Sequence, residues 1–139
     1  MNTSTKRYFL AKSEPEVYSV DDLARDKQTQ WDGVTNPQAV RAIKDMQPGD
    51  RVLIYHSGGV SAIVGVAEVL TAGRPDPKNP KSAIAGLGFV SKLPEPVTLK
   101  QVKESKLFDD FALVRQSRLS TMAVPEKFVA WLRKMHPHI

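Results

Sequence analysis

Apolar residues in this chain come in short runs, most of them ended by proline, glycine or a helix-capping side chain. Arg7-Tyr8-Phe9-Leu10-Ala11-Lys12 reads as a first strand, stopped by Pro15. Ser19 precedes Val20-Asp21-Asp22-Leu23, and its acidic residue three positions on forms a capping box that opens a short helix. Asn36-Pro37 repeats the logic, because Asn36 can accept from first-turn amides and Pro37 needs no donor there. Ala39, Ile43 and Met46 recur at helical spacing and are expected to face the core, and Pro48-Gly49-Asp50 ends that helix. Arg51 to His56 is strand-like, Gly58-Gly59 turns the chain, and Ala62 to Leu70 returns as a long strand. Pro75, Pro77 and Pro80 mark a stiff loop, and Ile84 to Leu93 is a further strand that Gly86 and Gly88 allow to bend. Leu99 to Val102 starts a helix, Leu119 to Val124 reads as a last strand, and Pro125 opens a terminal amphipathic helix through Leu132. Short strands mixed with short helices predict an α+β fold, its mixed sheet curled into a barrel with helices around it. With neither repeats nor a linker, residues 1–139 are expected to form one domain.

Composition narrows the function classes. No cysteine is present, which excludes a disulfide framework and thiolate chemistry. No apolar run approaches the roughly 20 residues of a membrane span, and Met1-Asn2-Thr3-Ser4-Thr5 lacks a signal peptide's apolar region. The expectation is a soluble, cytoplasmic protein with no membrane partner. The net charge of +5 is unevenly placed: residues 1–70 hold 8 Lys+Arg against 9 Asp+Glu, and residues 71–139 hold 12 against 6. A basic half suits a polyanionic partner such as nucleic acid, since clustered cations release counterions condensed on phosphates; a merely solvated face is the competing reading.

Three separate clusters carry the candidate chemistry: Lys12-Ser13-Glu14-Pro15, Trp31-Asp32-Gly33-Val34 with Asn36, and Tyr55-His56-Ser57. Together they supply an aromatic plate, hydroxyls, an amide and ionisable groups, the equipment of a small polar-aromatic pocket. Trp31 stands between Gln30 and Asp32, in poor company for a core strand, whereas Trp131 beside Phe128 and Leu132 reads as core. Asn36 can cap a helix with its carbonyl and keep its NH2 free for a base edge. Ser13 can meet a base or stabilise a turn before Pro15. His56-Ser57 suggests a hydrolase, but neighbours on a strand point to opposite faces and no Gly-x-Ser-x-Gly elbow is present. His136 and His138 are the only close histidine pair and belong to a solvated tail, so neither a metal nor a cofactor is expected. Arg115 and Arg118 leave two readings open, a phosphate clamp or pairing with Asp109 and Asp110.

The order Tyr8-Phe9-Leu10-Ala11-Lys12-Ser13-Glu14-Pro15, Ser19-Val20-Asp21-Asp22-Leu23, Trp31-Asp32-Gly33-Val34, Gly49-Asp50 and Tyr55-His56-Ser57 resembles the EVE domain family. The likeness resumes at Pro96-Val97-Thr98-Leu99 and closes with Ala112-Leu113-Val114-Arg115 and Arg118-Leu119-Ser120. It implies a PUA-like fold related to YTH domains, which bind RNA or read modified bases. It also implies a stacking role for Trp31 and places Arg115 and Arg118 near the binding face. Three departures stand out. Thr35-Asn36-Pro37-Gln38-Ala39-Val40 replaces a segment that in the family is richer in arginine and carries an aromatic. Ser82 stands for a tryptophan after Asn79-Pro80-Lys81, and Gly86 for an acidic residue. The expectation is therefore a pocket with fewer phosphate contacts and no second aromatic wall.

The resulting reading is a non-enzymatic module that accepts a flipped or unpaired, modified nucleobase of DNA or RNA against Trp31. Lys12, Ser13, Asn36, Tyr55, His56 and Ser57 complete the pocket, and Arg115 and Arg118 face phosphate. The alternatives are a general RNA-binding module without base specificity and, as a third class, a small-metabolite hydrolase.

Overall fold

In the computed structural model, which describes residues 6–139, the capping signals act where the sequence places them. The polar stretch Met1 to Thr5 lies outside the described residues. After strand β1 (Tyr8–Ser13), Ser19 accepts from the Asp22 amide and Asp22 accepts from the Ser19 amide, starting helix α1 (Val20–Asp26). Strand β2 (Gln28–Val34) follows, then α2 (Pro37–Asp45), β3 (Arg51–His56), β4 (Ala62–Asp76) and β5 (Asn79–Thr98). Thr98 and Gln101 form a second capping box at α3 (Leu99–Ser105), and α4 (Ala112–Arg115), β6 (Thr121–Val124) and α5 (Glu126–Met135) complete the chain.

The six strands form one mixed sheet in the order β2-β5-β4-β3-β1-β6. Only β1 and β3 run parallel, so the α1-β2-α2 segment between them is a crossover that carries β2 to the far edge. The sheet curls but does not close: β2 and β6 are its two edges and are not hydrogen-bonded to each other. This is the expected curled mixed sheet with helices packed around it, left open rather than closed into a complete barrel. Side-chain alternation gives it two cores. Phe9, Ala11, Val52 and Ile54 meet α1 and α2 on one face; Tyr8, Leu10, Leu53 and Tyr55 meet α3, α4 and α5 on the other. The second core centres on Phe128, fully buried, with edge and tilted ring contacts among Phe108, Phe111 and Trp131 at 4.8–5.6 Å. Trp131 is therefore a packing residue, as expected.

Two sequence expectations change. The proline-rich loop is the tip of a long hairpin, because β4 and β5 pair as far as Asp76 and Asn79. The prolines are tolerated because register shifts interrupt the ladder there and the turn lies at its end. Gly73 lies where β4 crosses the end of α2: its N–H donates to the Met46 carbonyl at 2.9 Å, and a Cβ would stand 1.6 Å from the Ile43 oxygen. The second change is β2, a strand that the polar pattern Gln28-Thr29-Gln30-Trp31-Asp32 hides.

Candidate functional site

The unclosed side of the sheet holds the candidate site. A cavity of about 600 Å3 lies between β2, one edge of the sheet, and β1, the strand next to the other edge, and Ser120 ahead of the edge strand β6 also lines it. Its walls include Lys12, Ser13, Tyr18, Thr29, Trp31 and Asn36, with Glu14 and Asp32 among the lining residues.

Trp31 owes its place to strand alternation and a bulge. Thr29 and Trp31 are two apart on β2 and share one face. The β2–β5 register then shifts between Trp31 and Val34, where Gly33 takes a φ of 76°. A side chain at position 33 would have open space, so glycine is needed there for backbone angle rather than room. Trp31 is partly buried and packs against the α1/α2-side core while lining the cavity. Its indole N–H is covered and has no hydrogen-bond partner.

The other walls are held by local hydrogen bonds. The N–H groups of Val17 and Tyr18 both donate to the Glu14 carbonyl at 2.9 Å, and the Ser13 hydroxyl donates to the Tyr18 carbonyl. The Tyr18 hydroxyl in turn donates to Asp26 at 2.9 Å. Tyr18 thereby supplies an aromatic to the site that was not among the sequence candidates, while position 82 supplies none. Ser82 is buried and does not line the cavity. Asn36 caps α2, its side-chain oxygen accepting from Gln38 and Ala39 at 2.9 and 3.1 Å; the NH2 keeps its donors. The Lys12 ammonium donates to the Ser117 carbonyl at 3.0 Å and lies 5.5 Å above the Tyr55 ring. Burial lowers its pKa from the usual lysine range.

The structure thus brings together Lys12, Ser13, Trp31 and Asn36 but not the remaining candidates. Tyr55 is 2% exposed and belongs to the opposite core, where it serves as the seat under Lys12. His56 accepts the Val20 N–H at Nε2 over 3.0 Å, supporting the start of α1, and burial lowers its pKa. Ser57 ties β3 to β1 through its N–H, which donates to the Ser13 carbonyl at 3.0 Å. None of the three lines the cavity. Arg115 is exposed and pairs with Asp110 at 3.2 Å. Arg118 is exposed on the loop that receives Lys12, and neither arginine lines the cavity. Tyr18 and Thr29 escaped the sequence reading. Two-residue alternation back from Trp31 would have found Thr29, and the turn signal at Glu14-Pro15 would have placed Tyr18 beside it.

A curled, unclosed mixed sheet with a ligand-sized cavity at its open side defines a PUA-like module. The chain belongs to the EVE domain family, whose model matches residues 7–135. Thymocyte nuclear protein 1 of Rattus norvegicus is 31% identical over 69% of this chain, and the Gallus gallus protein 26% over 94%. The matches span 55% and 70% of those proteins' lengths. Among solved structures, a hypothetical protein from Leishmania major superposes with a TM-score of 0.87 at 29% identity, covering 96% of both chains. Rpa0253 from Rhodopseudomonas palustris gives 0.86 at 35% identity, covering 93% of this chain and 92% of its own. The human THYN1 protein in complex with 5-methylcytosine containing DNA gives 0.84, covering 94% of this chain and 97% of its own. At 22% identity, that last likeness concerns the fold.

Proposed function

We propose that this EVE domain is a non-enzymatic nucleic-acid-binding module that takes an unpaired or flipped, modified nucleobase into the cavity between β1 and β2. The observation that carries the reading is the cavity wall, where Trp31 and Tyr18 supply aromatic surface and Asn36 and Ser13 supply hydrogen-bonding groups. Its volume of about 600 Å3 falls within the roughly 300–1,000 Å3 of small-ligand pockets. Stacking on an aromatic is worth about 1–3 kcal/mol per base and accepts any base, because every base has a π face. Selectivity must come from the polar groups: a buried methyl adds only about 0.8 kcal/mol by transfer, whereas an amide that pairs with a base edge rejects a mismatched edge more strongly. Extruding a base costs a few kcal/mol from a duplex and least from a single strand. Single strands and damaged sites are therefore the favoured substrates.

The fold shared with a human protein solved on 5-methylcytosine DNA makes 5-methylcytosine the first modification to test. The experiment is a salt titration with matched single-stranded DNA and RNA oligonucleotides that differ only in one base modification. Base reading predicts a ratio of affinities that survives high salt. General RNA binding, the rival reading, predicts equal affinities that fall together as salt rises. The hydrolase reading requires His56 as a base for Ser57, and the Val20 N–H already occupies Nε2 of His56.

A further inference from the structure

A second hollow adjoins the cavity. About 390 Å3 in volume, it lies between α2 and the tip of the β4–β5 hairpin, lined by Val40, Arg41 and Lys44 from α2 and by Pro80 and Lys81 from β5. Thr35 lines both spaces, so the two lie side by side at the start of α2. The geometry points to a phosphate track: the groove carries the backbone of the strand whose base occupies the first cavity, with Arg41, Lys44 and Lys81 as its cations.

Three observations support the assignment. Arg41 and Lys44 are three apart on α2, hence on one helix face, and Lys81 approaches from the hairpin. All three are exposed, and among the described residues none pairs with a carboxylate, whereas Arg7, Arg25, Arg51, Lys92 and Arg115 each do. Their charge is thus available to an external anion. On the cavity itself Glu14 and Asp32 outnumber Lys12, whose ammonium already donates to the Ser117 carbonyl; the balance disfavours a phosphate there and directs the backbone along the side where Thr35 meets α2. Among the described residues no carboxylate lines the groove; Asp45, next to Lys44 and exposed, and Asp76, opposite Asn79 at the hairpin tip, are its acidic neighbours, so three lining cations stand against two carboxylates outside the lining. Arg115 and Arg118, the expected phosphate contacts, line neither space. The basic second half of the sequence therefore contributes chiefly through Lys81, and the first half contributes two of the three cations.

The proposal rests on the nucleobase reading and is tested beside it. The probe is a labelled single-stranded DNA oligonucleotide carrying one 5-methylcytosine, titrated at several salt concentrations. The combined variant Arg41→Gln, Lys44→Gln, Lys81→Gln is expected to keep the wild-type melting temperature and to bind about 10- to 100-fold more weakly at low salt. Its log-log salt slope should be shallower by about 2, the loss of three phosphate contacts at roughly 0.7 each. Arg115→Gln with Arg118→Gln should leave the slope in place. An unchanged affinity and slope in the triple variant, with binding lost in Trp31→Ala, would overturn the track and leave the base pocket standing. A shallower slope in the triple variant with Trp31→Ala unaffected would support the track and reject the pocket. If the wild type binds no such oligonucleotide, both fall.

Discussion

The two tryptophans of this chain show how one residue type is put to different use. Trp131 stands in a ring cluster with Phe108 and Phe128, over a core closed by α3, α4 and α5. Trp31 stands on an edge strand at the side where the curled sheet stays open, anchored against one core but facing a cavity. Around Trp131 the aromatic area is spent on packing. Around Trp31 one face of the ring meets the core, and the cavity beside it is lined by polar side chains such as Ser13, Thr29 and Asn36 together with Tyr18. The difference teaches that an unclosed sheet leaves an aromatic only half packed, because the missing neighbour strand leaves a wall without a partner.

The largest effect belongs to the closed region. Phe128→Ala should destabilise the domain by about 3–5 kcal/mol, enough to unfold a marginal protein, and denaturant melts measure it. A loss below about 1 kcal/mol would mean the aromatic cluster does not organise that face. On the open side, Asn36 separates its two roles. Asn36→Ala should cost about 1 kcal/mol of stability through the lost cap; Asn36→Ser should keep the cap and lose only the free NH2. Equal nucleobase affinity in Asn36→Ser and wild type would remove Asn36 from the reading of the base.

Much of the fold is legible in the chain, because its signals are local. Ser19/Asp22 and Asn36-Pro37 start helices where their hydrogen-bonding chemistry requires, and Arg51 to His56 forms the strand its apolar run predicts. The site is less legible, since it depends on which elements meet. Trp31, Asn36, Lys12 and Ser13 gather as their chemistry suggests. Tyr55 and His56 carry equally suggestive side chains, but β3 is an interior strand with β1 and β4 on its two sides. Both of its faces are covered, one by each core, so those side chains become structural. The hairpin tip misled for a different reason: three prolines argue for a loop only where an unbroken ladder is assumed, and β4 and β5 pair with repeated register shifts.

A smaller effect is pH-dependent and belongs to the seam between the regions. His56 is held neutral by burial, its pKa lowered below the usual histidine range of about 6.5, with Nε2 accepting the Val20 N–H. The unfolded chain then takes up a proton before the folded one does, so stability is fully present above that range and falls as pH drops through it toward the folded pKa. Melting temperatures recorded between pH 7.5 and pH 5 should decline, and His56→Gln, which still offers an acceptor to Val20, should flatten part of the decline. An unchanged slope in that variant would mean that His56 takes up its proton at the same pH in the folded and the unfolded chain.

The central claim is that Trp31 serves a ligand rather than the core, and one variant tests it when stability and binding are measured together. Trp31→Ala should keep a cooperative melt, because the ring is only partly buried, and should weaken binding of a modified single-stranded oligonucleotide by about 5- to 150-fold, the equivalent of about 1–3 kcal/mol of stacking. A collapsed melting temperature would place Trp31 with Trp131 among the packing residues. An intact melt with unchanged affinity would remove it from the site altogether.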